Sequence, residues 1–186
     1  NKLYGRFRSF FAEEDVVMNT QFQECSSSNG GGAVFIERSS LIRVENCVFR
    51  RCTARTFGGS VCVDAKEITI SRCTFMESQS LYAAAYYESA TSKSFANESS
   101  CLECVANCYH IGGQYNGYGV TIQSNGSSCT SPSESSGFHP FSGPKYYFSS
   151  LVYIGNIAPA AHRPYCITNE EMVNERICFL NNSARD

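Results

Sequence analysis

Phe22-Gln23-Glu24-Cys25, with Gly31-Gly32-Ala33-Val34 six positions on, recurs as Phe49-Arg50-Arg51-Cys52 with Gly58-Gly59-Ser60-Val61 at the same interval. The offset between these copies is 27 residues. A third copy, Phe75-Met76-Glu77-Ser78, follows 26 residues later and keeps Cys73 two positions ahead of its Phe, as Cys47 precedes Phe49. A period of 26–27 residues fixes the class of architecture before any single residue is interpreted, because each unit is too small to bury a face alone and must stack on its neighbours.

Each unit contains short β-branched or aromatic runs and no apolar pattern of helical length. Ala33–Ile36 and Leu41–Val44 read as two strands joined by a polar corner at 37–40, repeated as Ser60–Val63, a corner at 64–67 and Ile68–Ser71. A third run, Cys47-Val48-Phe49 or Cys73-Thr74-Phe75, precedes the next corner. Three strands in 26 residues gain two neighbours each when successive units lie about 4.8 Å apart. The expected fold is all-β, a right-handed parallel β-helix. Phe22, Phe49 and Phe75 then form one interior column and Cys25, Cys52 and Ser78 the adjacent one. Gly31, Gly32, Gly58 and Gly59 sit where a corner demands positive φ or close backbone approach. A leucine-rich repeat would require a Leu and Asn pattern absent here, and a propeller blade about 40 residues.

The chain of 186 residues, 42% hydrophobic, is read as one domain. Residues 1–19 form an N-terminal cap, 20–88 the regular rungs and 89–186 degenerate rungs. Leu3, Phe7, Phe10 and Phe11 fall at helical spacing and predict a short amphipathic cap helix, with an extra strand as the alternative. In the degenerate half, Cys101-Leu102-Glu103-Cys104 takes the Phe-x-x-Cys position. Gly112-Gly113 follows Glu103 at the interval that separates Phe49 from Gly58, and Tyr118–Ile122 belongs to this copy or the next. Residues 123–145 are rich in Ser, Gly and Pro and read as a loop excursion. Arg176–Arg185 resembles Asn46–Arg55 without the diglycine that should follow, so the chain reads as a piece of a longer solenoid.

The net charge of −2 excludes a strongly basic nucleic-acid-binding surface. Arg50, Arg51, Arg55 and Arg72 are interleaved with Glu37, Glu45, Glu67 and Glu77, as on a solvated face. No apolar run reaches the roughly 18 residues of a membrane span, so no membrane insertion is expected. Eleven cysteines are present. Cys25 with Cys52, and Cys47 with Cys73, lie one rung apart and are either stacked thiols or inter-rung disulfides. Cys101, Cys104, Cys108, Cys129 and Cys166 are disulfide candidates in the irregular half. Cys101-x2-Cys104-x3-Cys108-x-His110 offers four donors at a spacing unlike a zinc knuckle, so neither metal nor cofactor is expected. Sequons at Asn97, Asn125 and Asn181, together with the cysteines, point to an extracellular or cell-surface location.

Catalysis finds no support in the residues. The Asp residues Asp15, Asp64 and Asp186 are far apart, and no carboxylate pair or His-containing nucleophile motif lies on the rungs. The diglycine units and the Phe-x-x-Cys motif, closest to Phe-x-x-Asn at Phe179-Leu180-Asn181-Asn182, resemble polymorphic outer-membrane-protein repeats and the surface proteins of parasitic protists built on them. That resemblance covers about 20–88 and 175–185. It implies a pectate-lyase-like β-helix acting in adhesion or as a structural stalk without catalysis. The expected function is therefore a non-enzymatic structural or adhesive surface protein, a filament or stalk subunit that associates with itself or with other surface proteins. The alternatives are a carbohydrate-binding module with Tyr82, Tyr86, Tyr87, Tyr115 and Tyr118 as stacking platforms, an intracellular scaffold, and a degenerate polysaccharide enzyme.

Overall fold

The computed structural model describes residues 2–3, 7–106, 111–115, 118–122, 125–129, 138–140, 145–158 and 171–184. Every strand pairing among them is parallel. The chain is a β-solenoid of about four turns with rungs of roughly 26 residues, its described strands forming three larger parallel sheets and a two-stranded one, Ile157–Ala158 with Ser183–Ala184.

The first sheet has eight short strands, among them Gln21–Gln23, Val48–Arg50, Thr74–Met76, Ser100–Leu102, Asn125–Ser127, Val152–Ile154 and Cys178–Leu180. Its register places Phe22, Phe49, Phe75, Cys101, Gly126, Tyr153 and Phe179 in one column. The second sheet is built on the long strands Val34–Glu45, Val61–Ser71 and Tyr86–Asn97. The third joins the two-residue strands Ser26–Ser27, Thr53–Ala54, Gln79–Ser80 and Val105–Ala106.

Alternation along the long strands follows from the pleat, which sends successive side chains to opposite faces. Val34, Ile36, Ile42 and Val44 point inward and are stacked on Val61, Val63, Ile68 and Ile70. The Phe rings of the first sheet meet them from the other side. Phe22 and Phe49 stack with centroids 5.0 Å apart and planes 1° from parallel, and Phe49 and Phe75 at 4.9 Å and 5°. The rung spacing imposes this separation, which is that of offset-stacked rings.

Turning the chain requires left-handed residues at recurrent positions. One set is Asn19, Asn46, Arg72, Glu98, Ser150 and Arg176, a second is Glu24, Arg51, Glu77, Glu103, Ser128, Gly155 and Asn181, and a third is Gly31, Gly58 and Ala83. At the third, glycine is sterically required in two turns: a Cβ on Gly58 would lie 1.9 Å from the Val61 carbonyl oxygen, and one on Gly31 2.1 Å from that of Val34. The next turn instead has Ala83 at φ 54°.

Four expectations are corrected. The described residues around Leu3, Phe7, Phe10 and Phe11 form no helix, and the alternative of added strands holds. Lys2–Leu3 joins the first sheet, while Phe7–Phe10 and Glu14–Met18 pair with Val34–Glu45. The long edge of that strand offers a row of backbone donors and acceptors, and strand pairing satisfies them where a short isolated helix would not. The polar stretches 37–40 and 64–67 are not corners between two strands but lie inside continuous ones. A register shift between Ile36 and Ser39 absorbs one extra residue, with Arg38 left-handed. Ser39 turns inward there, and its hydroxyl donates to the buried Asp15 carboxylate. Gly112-Gly113 is not a corner pair either. It lies in strand Ile111–Tyr115, opposite Tyr87 and Glu88, and Tyr118–Ile122 continues along the same neighbour. Finally, within 123–145, Asn125–Ser127 is a strand of the first sheet and Phe138–Pro140 pairs with Ile111–Gly113.

Candidate functional site

The column three residues after the Phe position is where side chains with chemistry gather. Backbone pairing aligns Cys25, Cys52, Ser78 and Cys104, and further on Cys129, Asn156 and Asn182. All but Asn182 are fully buried. The carbonyls of Arg50, Leu102 and Ser127, two residues before this column, already accept a backbone N–H from the preceding turn, and the column side chain adds a second donor. The thiols of Cys25, Cys52, Cys104 and Cys129 each donate to the carbonyl two residues earlier, at 3.5, 3.6, 3.5 and 3.3 Å. The single S–H of Cys104 has the Phe75 carbonyl of the previous turn as its other acceptor at 3.7 Å, and that of Cys129 the Cys101 carbonyl at 3.6 Å.

In later turns asparagine performs the same task and adds an acceptor. The Asn182 amide donates to the Tyr153 carbonyl at 2.9 Å, while its Oδ1 accepts the Asn156 N–H at 2.9 Å. Asn156 Oδ1 likewise accepts the Cys129 N–H at 2.9 Å. Phe-x-x-Cys and Phe-x-x-Asn are thus two solutions to one hydrogen-bonding problem. A second thiol column repeats the device: Cys47 donates to the Glu45 carbonyl at 3.2 Å and Cys73 to that of Ser71 at 3.3 Å, with Ser99 following.

The disulfide candidates Cys25, Cys47, Cys52, Cys73, Cys101, Cys104 and Cys129 are all thiols, and Cys108 and Cys166 lie outside the described residues. Burial pushes the Cys52 thiol up to about 12 and raises Cys104 as well. Cys101 is raised first by its contacts with Cys104 and Cys129 and then by burial. Such thiols are poor nucleophiles at neutral pH.

Of the sequons, Asn97 ends a long strand half-buried, with the buried Ser99 hydroxyl bonded to its carbonyl. Asn125 begins a strand of the first sheet, and Asn181 is exposed at a corner.

Sequence spacing singled out Cys101, Cys104, Cys108 and His110, but the structure groups Cys101 and Cys104 with Cys129 of the following turn. Cys108 and His110 lie outside the described residues. Column arithmetic contained this signal, since Cys129 follows Cys104 by one 25-residue rung. Glu88 was also overlooked. It is 1% exposed, at the interior position that Ile36 and Val63 fill in earlier turns.

Outside, Phe57 is exposed and stacks on Tyr82 of the next turn at 5.2 Å, with Tyr87 at 4.8 Å. Tyr86, by contrast, is buried against Phe75 at 5.4 Å, so it presents no platform to a ligand. The Tyr115 and Tyr118 side chains are outside the described residues. Ion pairs tie one turn to the next: Arg43 to Glu14 at 2.8 Å, Arg51 to Glu24 at 3.1 Å, Arg50 to Glu77 at 3.3 Å and Arg72 to Glu45 at 3.5 Å. No helix among the described residues is long and apolar enough to cross a membrane. No family model matches the chain, and no curated protein or solved structure is significantly similar to it.

Proposed function

We propose that this chain is a non-enzymatic structural or adhesive solenoid, displayed outside the cell or at its surface as part of a stalk or filament. The observation that carries the reading is the use made of the interior: stacked rings, aliphatic ladders and thiols bonded to carbonyls fill it turn after turn. The outer face meanwhile repeats as ion pairs between turns. A rod of this construction spaces or presents surfaces, and its parallel sheets can extend by adding a further copy through the same pairing. The resemblance to polymorphic outer-membrane-protein repeats supports the surface location and a pectate-lyase-like ancestry.

Electron microscopy and light scattering of the purified full chain test the proposal. Filaments or discrete oligomers, or retention on cell surfaces, are the expected outcomes. A monomer that neither assembles nor adheres sinks it. The second reading, glycan binding, rests on the exposed Phe57 with Tyr82 and Tyr87, since paired rings at one corner suit stacking against a sugar face. A glycan-array signal abolished by Phe57→Ala would establish that reading, and an array without signal would remove it.

A further inference from the structure

The aromatic column narrows from Phe75 to Cys101 and then to Gly126, which has no side chain, before a ring returns at Tyr153. The sulfurs of two columns converge at this narrowing. The Sγ atoms of Cys101, Cys104 and Cys129 all lie within 4.8 Å of one another, and those of Cys101 and Cys129 are 3.7 Å apart. Each residue is 1% exposed or less. Elsewhere among the described residues the columns bring thiols together in pairs, Cys25 with Cys52 and Cys47 with Cys73.

The geometry points to a buried three-sulfur site for a thiophilic cation at Cys101, Cys104 and Cys129. A metal about 2.3 Å from each sulfur, at angles between tetrahedral and trigonal, needs sulfurs about 3.8–4.0 Å apart, so the cluster closes with shifts of at most about 1 Å. Soft thiolates, grouped with no carboxylate or imidazole among the described residues, select Cu(I) or Zn(II) over harder ions. Three sulfurs fit Cu(I) as they stand, whereas Zn(II) would recruit a fourth donor. Binding displaces the thiol protons to solvent. It also exchanges the weak S–H contacts to the Phe75, Leu102, Ser127 and Cys101 carbonyls for metal–sulfur bonds.

The fold supplies its own control variants. Ser78 occupies the Cys104 column one turn earlier and Asn156 the Cys129 column one turn later, so Cys104→Ser and Cys129→Asn introduce residues that the column already accommodates. The reduced full chain is titrated anaerobically with Cu(I), and in a separate arm with Cd(II) as a spectroscopic substitute for Zn(II). Thiolate-to-metal charge-transfer absorption is followed, and X-ray absorption counts the sulfurs. One equivalent bound by three sulfurs is expected. It should be lost in Cys104→Ser and in Cys129→Asn, and kept in Cys52→Ser and Cys73→Ser, with circular dichroism unchanged. Uptake that survives both cluster variants, absence of a charge-transfer band in both arms, or a Cys101–Cys129 disulfide with no metal uptake by the reduced chain would each overturn the assignment.

Discussion

The turn built on Val61–Ser71 and the one built on Tyr86–Asn97 share a backbone and differ in how they fill it. The first points Val61, Val63, Ala65, Ile68 and Ile70 inward and faces them with Phe75. The second has Tyr86, Glu88, Ala90, Ser94 and Ala96 at those positions and faces them with Cys101. Tyr86 in place of Val61, its ring against Phe75, regains only part of the volume lost where Ile68 and Ile70 give way to Ser94 and Ala96 and Phe75 to Cys101. Interiors hold to close packing rather than to residue identity, so side-chain size varies along single columns and neighbouring columns close on the space. The thiol cluster sits where the variation is largest, beside Gly126.

The sharpest way to break this comparison is to truncate one ring in the regular stack. Phe49 has Phe22 on one side and Phe75 on the other and no exposure. Phe49→Ala should cost about 3–5 kcal/mol, read as a lower urea midpoint at constant slope. Cys101→Ala in the same column removes one sulfur beside a glycine and should cost far less. Equal losses at the two positions would mean that the column is uniform in energy and the contrast only apparent.

Asparagine against cysteine in the second column is the next contrast to test. Asn156→Ala removes the acceptor of the buried Cys129 N–H, which should cost about 1–3 kcal/mol. Hydrogen exchange should show the Cys129 amide losing protection before its neighbours. A protected Cys129 amide in that variant would show that thiol and amide are not two answers to one problem.

The repeat, the Phe column and the Cys25–Cys52–Ser78 column were legible in the sequence because copies with 26–27-residue spacing align visibly. Cys101 in the Phe position could be read by the same spacing, and Phe179 by its resemblance to Phe49. What the sequence concealed came from substitution of function rather than of type. Ala83 holds the left-handed corner position that Gly31 and Gly58 take in earlier turns, and Gly112-Gly113, which spacing from Glu103 reads as the corner pair of the following copy, lies in a strand. Asp15 and Ser39 are polar residues turned inward at a bulge, a pairing 24 residues apart that no local pattern announces. The three-thiol cluster was missed because local spacing, Cys-x2-Cys-x3-Cys, competed with column arithmetic, and only the latter follows the stacking.

Alkaline pH should separate thiol columns from the rest of the core. Cys52 has its folded value raised to about 12 by burial, above the ordinary value of 9.0. Between those two values the unfolded chain loses a proton that the folded chain keeps, so the unfolded state is favoured as pH rises. Stability should therefore be fully present below about pH 9 and fall by about 1.4 kcal/mol per pH unit for each such thiol. Cys52→Ser should flatten the slope, measured as urea midpoints across the alkaline range. An unchanged slope would show that the column's thiols ionise alike in both states.

The smallest effect expected is on the outer face. Arg51 sits in the left-handed region at φ 52°, where an unbranched residue other than glycine costs about 1–2 kcal/mol. It pairs with Glu24 below at 3.1 Å and Glu77 above at 3.8 Å. The three side chains are 38–53% exposed, so water and salt screen the pairs to about 0.2–1 kcal/mol. These charges therefore do not offset the backbone strain at the corner, which the interior columns must carry. Arg51→Ala keeps the strain and loses the pairs, and should destabilise by less than about 1 kcal/mol, vanishing at high salt. A larger loss that persists in salt would move part of the solenoid's stability from its stacked interior to its surface ladder.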